Sequence, residues 1–247
     1  MRRALTTAPV RVWFGVLRLA VTVSPLLKVD DVSLIFWRRE GPYRALAEVS
    51  FVVKPGDFVV VKGPNGSGKS LLMAISAGLL PPSAGTVWFD GADLYRQPRR
   101  LRDQIISARI SHIPQIPNFR KRWSLLENMM LGVPGRLRVV VRERMERLIE
   151  EFHLTDKMNW RIKELSTGEA QRASVARALA LKPDLLIADS PTSLLDEDSA
   201  AKVVECLKDY HLRGGTVLAA SNDPRIVRLA RQVLFLDHGT LVPTPRG

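Results

Sequence analysis

The chain has 247 residues, enough for one well-cored domain or for one domain with a lobe inserted in it. Hydrophobic residues make up 46% and charged residues 25%, the balance of an ordinary soluble globular protein. The single cysteine, Cys206, rules out an internal disulfide, and the net charge of +12 favours contact with anions: nucleotides, nucleic acid or anionic lipid.

The first 25 residues read as an extension outside the domain. Arg2 and Arg3 resemble a signal-peptide start, but the apolar run over 10–23 is broken by Arg11 and Arg18, and no small-residue cleavage site follows. The segment fits a disordered tail, a start codon placed too early, or a basic amphipathic stretch lying on a membrane surface. No stretch reaches the roughly 18 apolar residues needed to span a bilayer. Residues 26–247 read as one domain.

From there the pattern alternates between strand-like and helix-like segments, which predicts an α/β fold. Strands are expected over 27–36 and 47–53, and Pro55-Gly56-Asp57 marks a turn. A short apolar strand over 58–62 runs into a glycine-rich loop, and a helix over 70–80 ends at Pro81-Pro82. Another strand follows over 85–89. Residues from about 117 to 163 are helix-rich and highly charged, and predict a helical lobe. A buried-type strand over 185–188, a helix over 198–212 stopped by Gly214-Gly215, and strands over 217–220 and 233–236 complete the core.

The loop Gly63-Pro64-Asn65-Gly66-Ser67-Gly68-Lys69-Ser70 fits GxxxxGKS/T, between a predicted strand and a predicted helix that continues through Leu71. Glycines let successive backbone N–H groups turn toward one anion, and the helix N-terminus adds its positive end. Lys69 is placed to reach the β- and γ-phosphates of a nucleotide, and Ser70 to ligate Mg²⁺. The apolar strand Leu185-Leu-Ile-Ala188 ends in Asp189, a carboxylate suited to holding that Mg²⁺ through water. Only one such loop occurs.

Two further segments carry a resemblance. Asp189-Ser-Pro-Thr-Ser-Leu-Leu-Asp196 looks like the DEPTSALD segment of ABC ATPases, and Leu165-Ser-Thr-Gly-Glu-Ala-Gln-Arg172 looks like their LSGGxxQR signature. The resemblance covers about nine-tenths of the chain. It implies a P-loop NTPase core of ABC ATPase type, with a small antiparallel β subdomain and the inserted helical lobe. It further implies that Gln115 is the Q-loop residue, close to Mg²⁺ and the attacking water. Phe36, or Trp37 beside it, would lie against adenine. Asp196 would be the D-loop residue at a dimer interface. Ser166, Thr167, Gly168 and Glu169 also open a helix over 171–181 as a capping box, Ser166 at the N-cap and Glu169 three residues on. In the family this helix start faces the γ-phosphate of ATP held by the other subunit, with Ser166 and the Gly168 N–H as donors. Thr167 stands where the family has glycine.

Two positions depart from the family. Ser190 follows Asp189 where the catalytic glutamate belongs, and a serine hydroxyl is no general base at neutral pH. Asn222, in Ser221-Asn-Asp-Pro224, stands where the switch histidine belongs, and an amide neither carries charge nor shuttles a proton. Gln115, Asp189, Ser190 and Asn222 are therefore the candidate catalytic positions of a site whose hydrolysis is impaired.

The expected ligands are ATP and Mg²⁺. The expected partners are a second ABC ATPase subunit, in a hetero- or homodimer, and a separate transmembrane permease. The permease would dock near residues 115–127 and place this chain on the cytoplasmic face of the membrane. The Ser124-Leu-Leu-Glu-Asn128 segment resembles transporters of the lipoprotein-release and macrolide-export type. The alternative is a nucleotide-gated switch or regulator without a transport role, one that the net charge of +12 would let associate with nucleic acid. Nucleic acid is not an expected partner, because neither arginine cluster (96–102 or 136–147) is interleaved with aromatics.

Overall fold

A computed structural model describes residues 24–133 and 135–243. The extension over 1–23 lies outside the described residues. The described chain builds two sheets that share one core.

The first sheet is antiparallel. Strands β1 (Leu27–Arg38), β2 (Gly41–Val53), β4 (Ala84–Phe89) and β5 (Ala92–Asp93) lie in the order β2-β1-β4-β5. Burial alternates along the C-terminal half of β2, as expected of a sheet with one face on the core and one on water.

The second sheet has six strands. β3 (Phe58–Lys62), β6 (Ile110–Ile113), β7 (Leu185–Asp189), β8 (Thr216–Ala220), β9 (Gln232–Asp237) and β10 (Thr240–Val242) run in the order β10-β9-β3-β8-β7-β6. All neighbours are parallel except β10 and β9. β7 and β8 are buried at every position, which explains their unbroken apolar runs: both faces are covered.

One face packs with α1 (Lys69–Ser76) against the antiparallel sheet, through Leu27, Leu46, Val59, Leu72 and Leu218. The other face packs against helices. These are α3 (Leu125–Met129), α4 (Arg138–Glu151), α5 (Thr167–Ala180) and α6 (Glu197–Leu212), with Phe58, Met145, Phe152, Leu186 and Leu207 among the contacts. The short α7 (Pro224–Val227) follows β8.

Several boundaries differ from the sequence reading, for local reasons. The helix after the phosphate loop stops at Ser76, because Gly78 turns into the left-handed region at φ 75°. The signature helix begins at Thr167 rather than 171, since the capping box closes its first turn. The arginine-rich stretch after Pro98 forms a helix, α2 (Arg99–Arg109), which charge clustering alone did not announce. Residues 117–163 contribute α3, α4 and three short 3₁₀ turns.

Candidate functional site

The site forms at the C-terminal ends of the parallel strands. β3 ends at Lys62, and the loop 63–68 leads directly into α1. A Cβ on Gly63 would lie 2.0 Å from the Leu236 carbonyl oxygen, so only glycine fits against β9. Gly68 caps α1 at φ 101° without a side-chain hydrogen bond, which leaves the first-turn N–H groups of the helix without a side-chain acceptor.

The Lys69 ammonium donates to the carbonyls of Gly63 (2.8 Å) and Pro64 (2.7 Å). Of its three N–H bonds one remains for an anion. Partial burial lowers the Lys69 pKa, and the Asp189 carboxylate pulls it back up. Ser67 Oγ is buried and has no hydrogen-bond partner among the described residues. That orphan hydroxyl, inside a curl of backbone N–H groups, fits a bound phosphate.

Asp189 ends β7 almost fully buried and forms no ion pair among the described residues. Its Oδ1 accepts from the Ser190 hydroxyl at 3.3 Å. A buried carboxylate without a cation is costly. The Ser70 hydroxyl and the Asp189 carboxylate are oxygen donors of the kind Mg²⁺ accepts alongside phosphate oxygens and water.

Ser190 sits at φ 47°, an unusual backbone region for a non-glycine residue, and its N–H donates to Ala220 O at 2.8 Å. Asn222 is committed to the phosphate loop. Its amide donates to Gly63 O (3.0 Å), and its carbonyl accepts from Gly63 N–H (3.3 Å). His112 lies on the strand leading to Gln115. Burial lowers its pKa, Arg177 lowers it further, and Asp189 opposes both.

A cleft of about 680 Å³ gathers Asn65, Lys69, Gln115, Ser190 and Asn222 on one wall system. Thr192, Asp223, Arg225 and Arg228 line it too, and the sequence reading did not single them out. The Thr192 hydroxyl donates to Asp223 at 3.0 Å, and Arg225 grips the same carboxylate at 2.9 and 3.0 Å while also pairing with Glu197. Nothing in sequence spacing marks that cluster, because Thr192 and Glu197 follow β7 while Asp223, Arg225 and Arg228 follow β8, some 30 positions on.

Other expected site residues stand elsewhere. Phe36 lies near the end of β1, opposite Tyr43 of β2, whose ring carries the Arg38 guanidinium at 3.9 Å. Asp196 caps α6, accepting from Ser199 N–H at 2.8 Å. Ser166 caps α5 in a complete capping box: the Ser166 N–H donates to Glu169 Oε2 at 2.8 Å, and Glu169 N–H donates back at 3.2 Å. Lys157 pairs with Glu169. Ser166 and Thr167 are exposed. Phe36, the four signature residues and Asp196 do not line the cleft. One residue of the signature helix reaches back to it. Fully buried Gln171 donates weakly to Pro114 O (3.4 Å) and Pro191 O (3.5 Å), joining α5 to the segments that carry Gln115 and Ser190.

A phosphate loop between β3 and α1, with a carboxylate at the end of a nearby parallel strand, defines a P-loop nucleotide-binding domain. The family profile described as ABC transporter matches residues 46–193. The lipoprotein-releasing system ATP-binding protein LolD of Leptospira interrogans is 33% identical over 89% of this chain and 92% of its own length. The macrolide export ATP-binding/permease protein MacB of Marinobacter nauticus is 32% identical over 88% of this chain, which spans 34% of that longer protein. The ATP-binding cassette MJ0796, solved as a dimer in a post-hydrolysis state with ADP and phosphate, superposes with a TM-score of 0.81. It is 28% identical, over 90% of this chain and 99% of its own. The chain belongs to the ABC transporter family, as an ATP-binding subunit.

Proposed function

We propose that this subunit binds Mg-ATP without hydrolysing it efficiently, and that it closes against a second ABC ATPase subunit whose pocket it completes. The observation that carries the reading is the commitment of the two departing side chains. The Ser190 hydroxyl turns to Asp189, and the Asn222 amide is engaged at both ends by Gly63. Neither offers a proton acceptor to an attacking water, and neither brings charge to a γ-phosphate.

Binding itself keeps its parts. The loop 63–71 cradles the phosphates, and Lys69 directs one N–H to them. Ser70, Asp189 and Gln115 would hold Mg²⁺, which neutralises phosphate charge when bound. Phe36 is the proposed adenine contact. In the partner's pocket the roles reverse. Ser166 and the Gly168 N–H, at the exposed start of α5, supply donors to the partner's nucleotide, Glu169 steadies that turn, and Asp196 lies at the interface. Thr167, in place of glycine, narrows the approach. A permease docks near residues 115–127 on the cytoplasmic face of the membrane and receives the closure. Likeness to lipoprotein-release and macrolide-export ATP-binding proteins favours export of a lipid or peptide-like cargo.

The test is Mg-ATP binding and single-turnover hydrolysis by the purified chain, beside Lys69→Ala and a Ser190→Glu/Asn222→His double variant. Wild type should bind without turnover, and Lys69→Ala should lose binding. The double variant should gain roughly 10²–10⁴-fold in rate. Steady turnover by wild type would overturn the impaired-site reading and point to an ordinary, homodimeric ATPase.

A further inference from the structure

The segment after β7, residues 190–197, and the segment after β8, residues 221–228, both contribute to the wall of the cleft. The first is built of its own turns. The Ser193 hydroxyl donates to Ser190 O at 2.9 Å, Leu195 N–H donates to Thr192 O at 3.2 Å, and Asp196 caps α6. Two side-chain contacts join it to the second segment. The Thr192 hydroxyl donates to Asp223, and Arg225 grips Asp223 through Nε and Nη2 while Nη1 donates to Glu197. A planar guanidinium can hold two carboxylates at once, which an ammonium or an amide cannot reproduce. Asp223 is nearly buried and Glu197 is open to solvent, so the bridge leads from the cleft wall out to the residue beside Asp196. Chiefly through Arg225, the Asp223 carboxyl is held below its ordinary pKa, with burial opposing.

The segment after β8 is also fastened to the phosphate loop. Asn222, the neighbour of Asp223, bonds both backbone groups of Gly63. Gly63 O accepts from Lys69 as well, so one carbonyl serves two donors. A phosphate in the loop competes for the Lys69 ammonium, as a charged acceptor outbids a neutral one. Once Lys69 turns to the anion, Gly63 O is left to the Asn222 amide, which is then held more firmly. Contacts run without a break from Gly63 through Asn222, Asp223 and Arg225 to Glu197.

We propose that Arg225 is a positioning residue that couples occupancy of the phosphate loop to the order of residues 192–199, the start of α6 that carries Asp196. The coupling rests on the proposed function for its nucleotide, and it needs neither hydrolysis nor a partner subunit.

The test is amide hydrogen exchange of the full chain with and without Mg-ATP, each variant at about ten times its own measured Kd so that occupancy is equal. The variants are Arg225→Gln and Arg225→Lys. The control, Arg142→Gln, removes the same charge from the Arg142–Glu146 pair on α4. In wild type and control, ATP should slow exchange over 63–70 and, by at least about five-fold, over 192–199. Arg225→Gln should keep the first protection and lose the second. Arg225→Lys should lose it too, since a point charge cannot bridge Asp223 and Glu197. Were Arg225 needed only to neutralise Asp223, lysine would suffice. The coupling is overturned if wild type is protected over 63–70 alone, if either Arg225 variant keeps the distal protection, or if the control loses it equally. Protection at neither place would refute ATP binding, and with it both the proposed function and this coupling. Steady turnover by wild type, with distal protection lost only in the Arg225 variants, would refute the impaired site and leave the coupling standing.

Discussion

Gly63 illustrates how the site depends on single residues. Its N–H and C=O hold Asn222, its C=O also anchors Lys69, and its missing side chain admits the β9 backbone. Gly63→Ala should therefore displace the loop rather than adjust it, since the nearest neighbour is the Leu236 backbone. The expected outcome is ATP affinity at least roughly 100-fold weaker, as phosphate-facing N–H groups lose alignment. Titration with a fluorescent ATP analogue checks this, and near-normal affinity would refute the close-approach argument. The sequence motif identified Gly63 as a loop glycine. It could not show that Asn222 would claim both backbone groups of that residue, because the two are 159 positions apart.

At the scale of the element, α5 joins local and distant forces. Its capping box is written in adjacent residues, Ser166 and Glu169, and was legible there. The Lys157 partner of Glu169 was not, because it arrives from a different turn. Chiefly through Lys157, the Glu169 carboxyl is held below its ordinary pKa, with burial opposing and the Ser166 bonds assisting. The sign follows: a depressed folded pKa gives stability that is present above about pH 4.3, and lost as pH falls through the lower folded value. Glutamine keeps the capping geometry but not the charge. The melting temperature of Glu169→Gln should thus trail wild type most above about pH 5 and converge with it toward about pH 3. Thermal scans across that range read the difference directly. A gap that stays constant with pH would mean the ion pair is silent.

At the scale of the molecule, the six-stranded sheet places Gln115 on the cleft wall opposite the phosphate loop, at the end of the segment leaving β6. If Gln115 reports nucleotide to the permease, Gln115→Ala should leave Mg-ATP affinity within about three-fold, one exposed contact being worth under a kcal/mol or so. ATP-driven transport in vesicles reconstituted with the partner subunits should fall much further. Transport that survives the substitution removes the Q-loop assignment. The site residues that line one cleft are drawn from four separate segments, and the signature and Asp196 stand away from it. One subunit thus displays a complete phosphate loop and, separately, an exposed helix start.

The phosphate loop between β3 and α1, the carboxylate ending β7 and the capping box of α5 were legible in the sequence, because each is set by residues adjacent in the chain. Helix α2 and the left-handed stop at Gly78 escaped it. In the first, four arginines mask a short apolar stripe of Leu101, Ile105 and Ala108, and the second is buried against Ile106. Only the tertiary structure decided where the departing side chains turn, and that Arg225 bridges Asp223 and Glu197. The Asn222–Gly63 and Arg225–Glu197 contacts join segments far apart in the chain, which burial and hydrogen-bond satisfaction settle only once the sheet has brought its strands together.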